Sequence, residues 1–127
     1  FMTLTLKLQH PEVFKVATAG GPVIDWKYYE VMYGERYMDT PQENPEGYKN
    51  NSLLNQVEKI DGHILIIHGA VDPTVVWQNS LQFLTEAIKH RKQVDYFVYP
   101  THKHNVTGID RVHLWDKIEQ YHALHNQ

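Results

Sequence analysis

The run "HILIIHG", residues 63–69, constrains the chain more than any other stretch. Its apolar residues are continuous and branched, without the alternation of a strand that has one wet face. It reads as a strand covered on both sides, the pattern of a parallel sheet sandwiched between helices. Two further short runs read as strands. "FKVATAG" (14–20) is closed by Gly20-Gly21-Pro22, and "VDYFVYP" (94–100) ends at a proline.

Helical patterns separate the strands. Residues 25–38, "DWKYYEVMYGERYM", predict one helix capped by Asp25, with Trp26, Tyr29 and Tyr33 at spacings of three and four. Residues 39–52 hold two prolines and a glycine among polar residues and read mostly as loop. Residues 75–90 place Trp77, Leu81, Leu84 and Ile88 on one stripe, and residues 112–125 place Leu114, Ile118 and Tyr121 on one side. Residues 1–10 stay ambiguous. Met2, Leu4, Leu6 and Leu8 alternate as in a strand, yet Leu4 and Leu8 are also one helical turn apart. The order strand, helix, strand, helix, strand, helix predicts an α/β domain with a mostly parallel sheet and helices on both faces.

Composition narrows the function. The chain has 127 residues, about one small domain. A formal charge of −3 does not favour nucleic acid or an anionic membrane as a partner. The absence of cysteine excludes disulfides and thiolate metal sites. No apolar run approaches the roughly 18 residues of a membrane span. The chain opens at Phe1 directly in "FMTLTLKL", which predicts a segment of something longer.

In doubly wound sheets, ligands sit at the carboxyl ends of the strands. Asp72, in "HGAVDPTV", and His104, in "YPTHKHNV", both follow strand ends. An acid followed by a histidine, with one helix and one strand between, fits the last third of a catalytic triad in the order nucleophile, acid, histidine. The nucleophile is missing. The only serines are Ser52, without flanking glycines, and Ser80, in mid-helix after the acid. Each residue also has a plainer reading. Asp72 can simply close a turn before Pro73. His102 and His104, with His113, form a possible metal set. Trp26, Tyr29 and Tyr33 can be core packing, with Tyr28 and Tyr37 off their stripe. Glu30 can be a solvated charge, and Glu35-Arg36 an ion pair or solvated face. His63 and His68 flank a buried strand as structural histidines. His10, His90, His122 and His125 read as surface or helix-end residues.

Four stretches, "AGGPVIDWKYYEVMYGERYM", "TPQENPEGY", "LIIHGAVDPTVVWQNS" and "YPTHKHNVTGIDRVHLWDKI", together resemble the end of the catalytic domain of the dipeptidyl peptidase IV and prolyl oligopeptidase family. Within it the bacterial prolyl tripeptidyl branch is nearest. The resemblance covers essentially the whole chain and implies the later part of an α/β-hydrolase fold. It implies that Phe1-Met2-Thr3 continues the family's G-W-S-Y-G-G motif, with the serine four residues before Phe1, and that residues 1–10 are the helix after that serine. It implies Asp72 as triad acid and His104 as triad base. Val23, Trp26, Tyr29, Tyr33 and Val75 match the pocket for a proline ring, and Glu30 matches a carboxylate that meets the substrate's free amine. Thr74 stands where mammalian relatives have Asn, and His104-Asn105 where they have His-Gly. The implied partners are peptides with proline before the cleaved bond, the rest of the catalytic domain, a β-propeller domain and a second copy of the protein. No cofactor or metal is implied. The implied location is periplasmic, outer-membrane-associated or secreted in a bacterium. Two readings stay beside it: another α/β-hydrolase such as an esterase or acylaminoacyl peptidase, and a non-catalytic binding domain.

Overall fold

Strands β1 (Val16–Gly20), β2 (His63–Gly69) and β3 (Asp95–Tyr99) form one parallel sheet in that order. The computed structural model describes residues 1–126. The register pairs Gly20 with Ile67 and Gly69 with Tyr99, so all three strands finish along one edge. Among the described residues five helices accompany the sheet: α1 (Met2–Gln9), α2 (Val31–Met38), α3 (Pro45–Asn50), α4 (Gln78–Lys89) and α5 (Asp110–His125). Short 3₁₀ segments cover Trp26–Tyr28 and Leu53–Lys59.

The central strand explains its own sequence. Successive side chains of a strand point to opposite faces. Ile64 and Ile66 enter a core with Leu4 and Leu8 of α1, Ile24, Leu53, Val57, and Phe83 and Ala87 of α4. Leu65 and Ile67 enter a second core on the other face, with Tyr99 and with Leu114, Ile118 and Tyr121 of α5. Both faces of β2 are therefore dry, and no position in "ILII" is free to be polar. The stripe expected on the last helix is the one that packs.

Residues 1–10 are helical, and the buried pair Leu4 and Leu8 sets the period, with Met2 and Leu6 exposed. Lys7 lies on the same helix and is buried. Its ammonium donates to Phe14 O at 2.7 Å and to Asp61 O, tying the entries of β1 and β2 together. Desolvation lowers its pKa, partly offset by the nearby Asp61 charge. No helix among the described residues is long and apolar enough to cross a membrane.

Three expectations fail on local detail. The single helix over 25–38 is broken. Asp25 does cap, accepting from Lys27 N at 3.1 Å, but it caps one 3₁₀ turn, and Tyr29 is extended at ψ 170° before α2 begins. The loop over 39–52 contains α3, started by Asn44, which accepts from Gly47 N at 3.0 Å, with Pro45 just inside the helix. Helix α4 buries Asn79, Ser80, Phe83 and Ala87, whereas Leu81 and Ile88 of the expected stripe are exposed. Two polar residues lie inward because each has a buried partner, Asn79 the backbone of Ile24 and Asp25 and Ser80 the His68 ring.

Candidate active site

The loop after β2 builds a carboxylate mount. Asp72 N donates to Gly69 O at 3.2 Å. The Asp72 side chain folds back, and its Oδ1 accepts from Thr74 N at 2.8 Å and Val75 N at 3.0 Å. This is the turn chemistry expected of aspartate, but it uses one oxygen only. The other, Oδ2, accepts from His104 Nδ1 at 2.7 Å. The Asp72 side chain is fully buried, whereas that of His104 is 38% exposed. Because the carboxylate only accepts, Nδ1 carries the proton and the lone pair lies on Nε2. Burial alone would raise the Asp72 pKa. The hydrogen bonds from His104 and from the amides of Val75 and Thr74 outweigh it and hold the carboxyl below its usual range.

The two loops are locked to one another by backbone. Ala70 N donates to Tyr99 O at 3.0 Å and Val71 N to His102 O at 3.2 Å. Gly69 makes the crossing possible, since a Cβ there would collide with the backbone oxygens of His102 and Lys103. Gly21, at φ +48°, follows β1 directly and lies beside the pair, with its N–H donating to Ile67 O at 2.7 Å. A Cβ at Gly21 would come 3.1 Å from the His104 ring and 3.3 Å from Asp72 Oδ2.

The aromatic residues also gather, although not along one helix. Trp26 and Tyr33 stack with centroids 6.0 Å apart, and Tyr29 stands edge-on to both at 5.5 Å. Val23 and Val75 are buried, Thr74 and Glu30 are exposed, and Glu30 contributes its carbonyl to the first turn of α2. The segment from Ile24 to Trp26 is anchored from α4, where Asn79 Oδ1 accepts from Ile24 N at 2.9 Å and Asp25 N at 3.3 Å. Asp25 Oδ2 accepts from Ser52 Oγ at 2.8 Å. Asn79 and Ser52 were invisible to hydropathy, since their burial depends on partners far away in sequence.

The remaining polar candidates resolve into pairs. His102 Nε2 lies 2.7 Å from Asp110 Oδ2 and His113 Nδ1 2.8 Å from Tyr99 OH, so the possible metal set is dispersed, and no cluster of three or more ligand side chains occurs among the described residues. His68 is a satisfied structural histidine as expected, buried with both ring nitrogens bonded, whereas His63 at the start of β2 is exposed. His122 and His125 are not plain surface residues: Nε2 of His122 is 3.1 Å from Thr18 Oγ1, and His125 stacks on His63 at 3.9 Å.

The model of the prolyl oligopeptidase family of peptidases matches residues 1–125. The chain belongs to that family. A probable dipeptidyl-aminopeptidase B of Sclerotinia sclerotiorum is 40% identical over 127 residues, covering 95% of this chain and 14% of that protein. A solved structure of a Bacteroides ovatus protein, assigned as a dipeptidyl aminopeptidase IV, superposes with a TM-score of 0.96 at 56% identity, over 98% of this chain and 18% of that one. The dipeptidyl peptidase 4 of Porphyromonas gingivalis superposes at 0.92 and 31% identity, over 97% of this chain and 18% of that one. This prolyl oligopeptidase family chain thus spans under a fifth of the length of these relatives, and its sheet and helices are α/β-hydrolase architecture.

Proposed function

We propose that residues 1–127 supply the acid and the base of a serine peptidase catalytic domain. The whole protein releases two or three residues from a free peptide amino terminus by cutting after proline. The observation that carries this reading is the 2.7 Å bond between His104 Nδ1 and a fully buried Asp72. It fixes the histidine tautomer and leaves Nε2 as a base on a partly exposed ring. Both serines are buried away from any substrate, Ser52 bonded to Asp25 and Ser80 to His68. In this reading the attacking hydroxyl comes from residues beyond these 127, as does most of the anchor for the free amine.

In the reaction His104 Nε2 takes the hydroxyl proton as the serine oxygen bonds the scissile carbonyl carbon. The same proton passes to the leaving amine as the peptide C–N bond breaks. Water, activated by the same nitrogen, then splits the acyl-enzyme. Asp72 stays ionised throughout and stabilises the imidazolium. Trp26, Tyr29 and Tyr33, with Val23 and Val75, form rigid apolar walls suited to a ring that has no N–H to satisfy. Glu30 meets the substrate amine, and Thr74 lies beside the substrate carbonyl. A β-propeller domain and a second protomer complete the proposed protein. The 127 residues alone are inactive.

The test uses the full-length parent and prolyl anilides carrying one or two residues before the proline. Cleavage by the parent, and loss of several orders of magnitude in kcat/KM in Asp72→Ala and His104→Ala, is the expected result. Undiminished turnover in either variant overturns the assignment.

A further inference from the structure

Behind the Asp72–His104 pair lies a second histidine that the mechanism does not use. His68, at the end of β2, is 1% exposed. Its Nδ1 lies 2.7 Å from Ser80 Oγ on α4 and its Nε2 lies 2.8 Å from Val75 O. The same Nε2 stands 3.4 Å from Asp72 Oδ2. A buried imidazole bridging a strand end, a helix and the far side of the acid turn needs a reason beyond filling space.

We propose that His68 is a positioning residue for Asp72, acting through the turn 72–75 with Ser80 as its own orienting partner; this rests on Asp72 being the triad acid. The protonation pattern follows from the partners. Val75 O can only accept, so Nε2 carries a hydrogen and donates it. In a neutral ring Nδ1 then has the lone pair, and the Ser80 hydroxyl donates to it. The ring faces Ser80 from α4, and Asp72 and the Val75 carbonyl from the loop; Asp72 in turn faces His104. The Nε2–H therefore points at the mouth of the turn. It holds the Val75 carbonyl while the amides of Val75 and Thr74 hold Oδ1, so both ends of the turn are pinned. His68 Nε2 also stands 3.4 Å from Oδ2, so the positive end of the N–H dipole lies close to the carboxylate. Together these contacts resist rotation of Oδ2 away from His104 Nδ1. Ser80, lacking the flanking residues of a nucleophile, acquires a role: its hydroxyl donates to the Nδ1 lone pair that the Val75 contact leaves on His68 and so holds the ring in place.

The two amide variants separate this role from simple core filling, and both are made in the full-length parent. In His68→Gln the new side chain is long enough to place an N–H at the Nε2 position and reach Val75 O. In His68→Asn the shorter side chain reaches only the Nδ1 position and meets Ser80. For His68→Gln, kcat on the prolyl anilide stays within about threefold of wild type. For His68→Asn it falls about a hundredfold, the effect of a misplaced catalytic group, while inhibition by a competing prolyl dipeptide changes less than about threefold. Asparagine matching or exceeding glutamine overturns the proposal, since the Ser80 contact alone would then matter. A neutron structure of the wild-type parent tests the same point whether or not the variants fold: deuterium on Nε2 of His68 is expected, and deuterium on Nδ1 alone overturns it. Failure of the underlying function reading looks different, because wild type or Asp72→Ala would then already behave unexpectedly.

Discussion

Replacing Gly21 by alanine tests the site from the turn after β1, the strand paired with the one that leads to the acid. Two effects add. The residue has φ +48°, where a side chain costs about 1–2 kcal/mol. The new Cβ would also stand 3.1 Å from Cε1 and Nδ1 of His104 and 3.3 Å from Asp72 Oδ2. Ordinary carbon contact begins near 3.5 Å, so the ring must retreat by about 0.4 Å. The bond it makes is 2.7 Å long and has no slack in that direction without losing alignment. A displacement of 1 Å costs about a hundredfold in rate, so a shift of this size costs roughly tenfold. Gly108→Ala is the control. It also has positive φ, at +65°, but its Cβ would meet nothing within 4 Å. The assay is kcat/KM of the full-length parent on a prolyl anilide, with urea midpoints for both variants. Both lose stability, Gly21→Ala the more because its Cβ also clashes, and only Gly21→Ala loses rate. Full activity in Gly21→Ala, or equal rate loss in both, refutes the placement of His104 against this glycine.

Tyr33→Ala removes one wall of the aromatic cluster. In the parent, kcat/KM on prolyl substrates should fall by about a hundredfold while a small acyl ester changes little; equal loss on both favours the esterase reading. Lys7→Met leaves the carbonyls of Phe14 and Asp61 without their donor, at about 1–3 kcal/mol, read as a lower urea midpoint with unchanged KM. Asp72 has a depressed pKa in the folded state, so its stabilisation is complete above the ordinary value of 3.8 and is lost as pH falls from there through the folded value. Asp72→Asn should therefore be less stable than wild type at neutral pH, and its stability should fall less steeply with acid; parallel acid-unfolding curves would contradict the geometry.

Sequence alone revealed what depended on continuous burial and on strand-end placement. The unbroken "ILII" requires two dry faces, and Asp72 and His104 follow strands whose register ends together. It misled where a polar residue is satisfied at long range. Asn79 and Ser80 face the core because Ile24, Asp25 and His68 wait there, so the hydrophobic stripe of α4 pointed to the wrong side. It misled again where one residue both breaks and starts structure. Pro45 signalled a loop, but after Asn44 it opens α3. Trp26, Tyr29 and Tyr33 meet as expected, but through a 3₁₀ turn and an extended residue that spacing could not distinguish from a continuous helix.

The bare backbone of Gly69 has a consequence for anyone rebuilding this protein. Because the histidine segment passes directly over it, the two segments that carry the acid and the imidazole are interlocked pieces rather than separable modules. A graft of either one alone into another scaffold would bring a side chain or a foreign chain path into that crossing. Transplantation must move residues 69–75 and 99–104 as one cassette, together with the glycine.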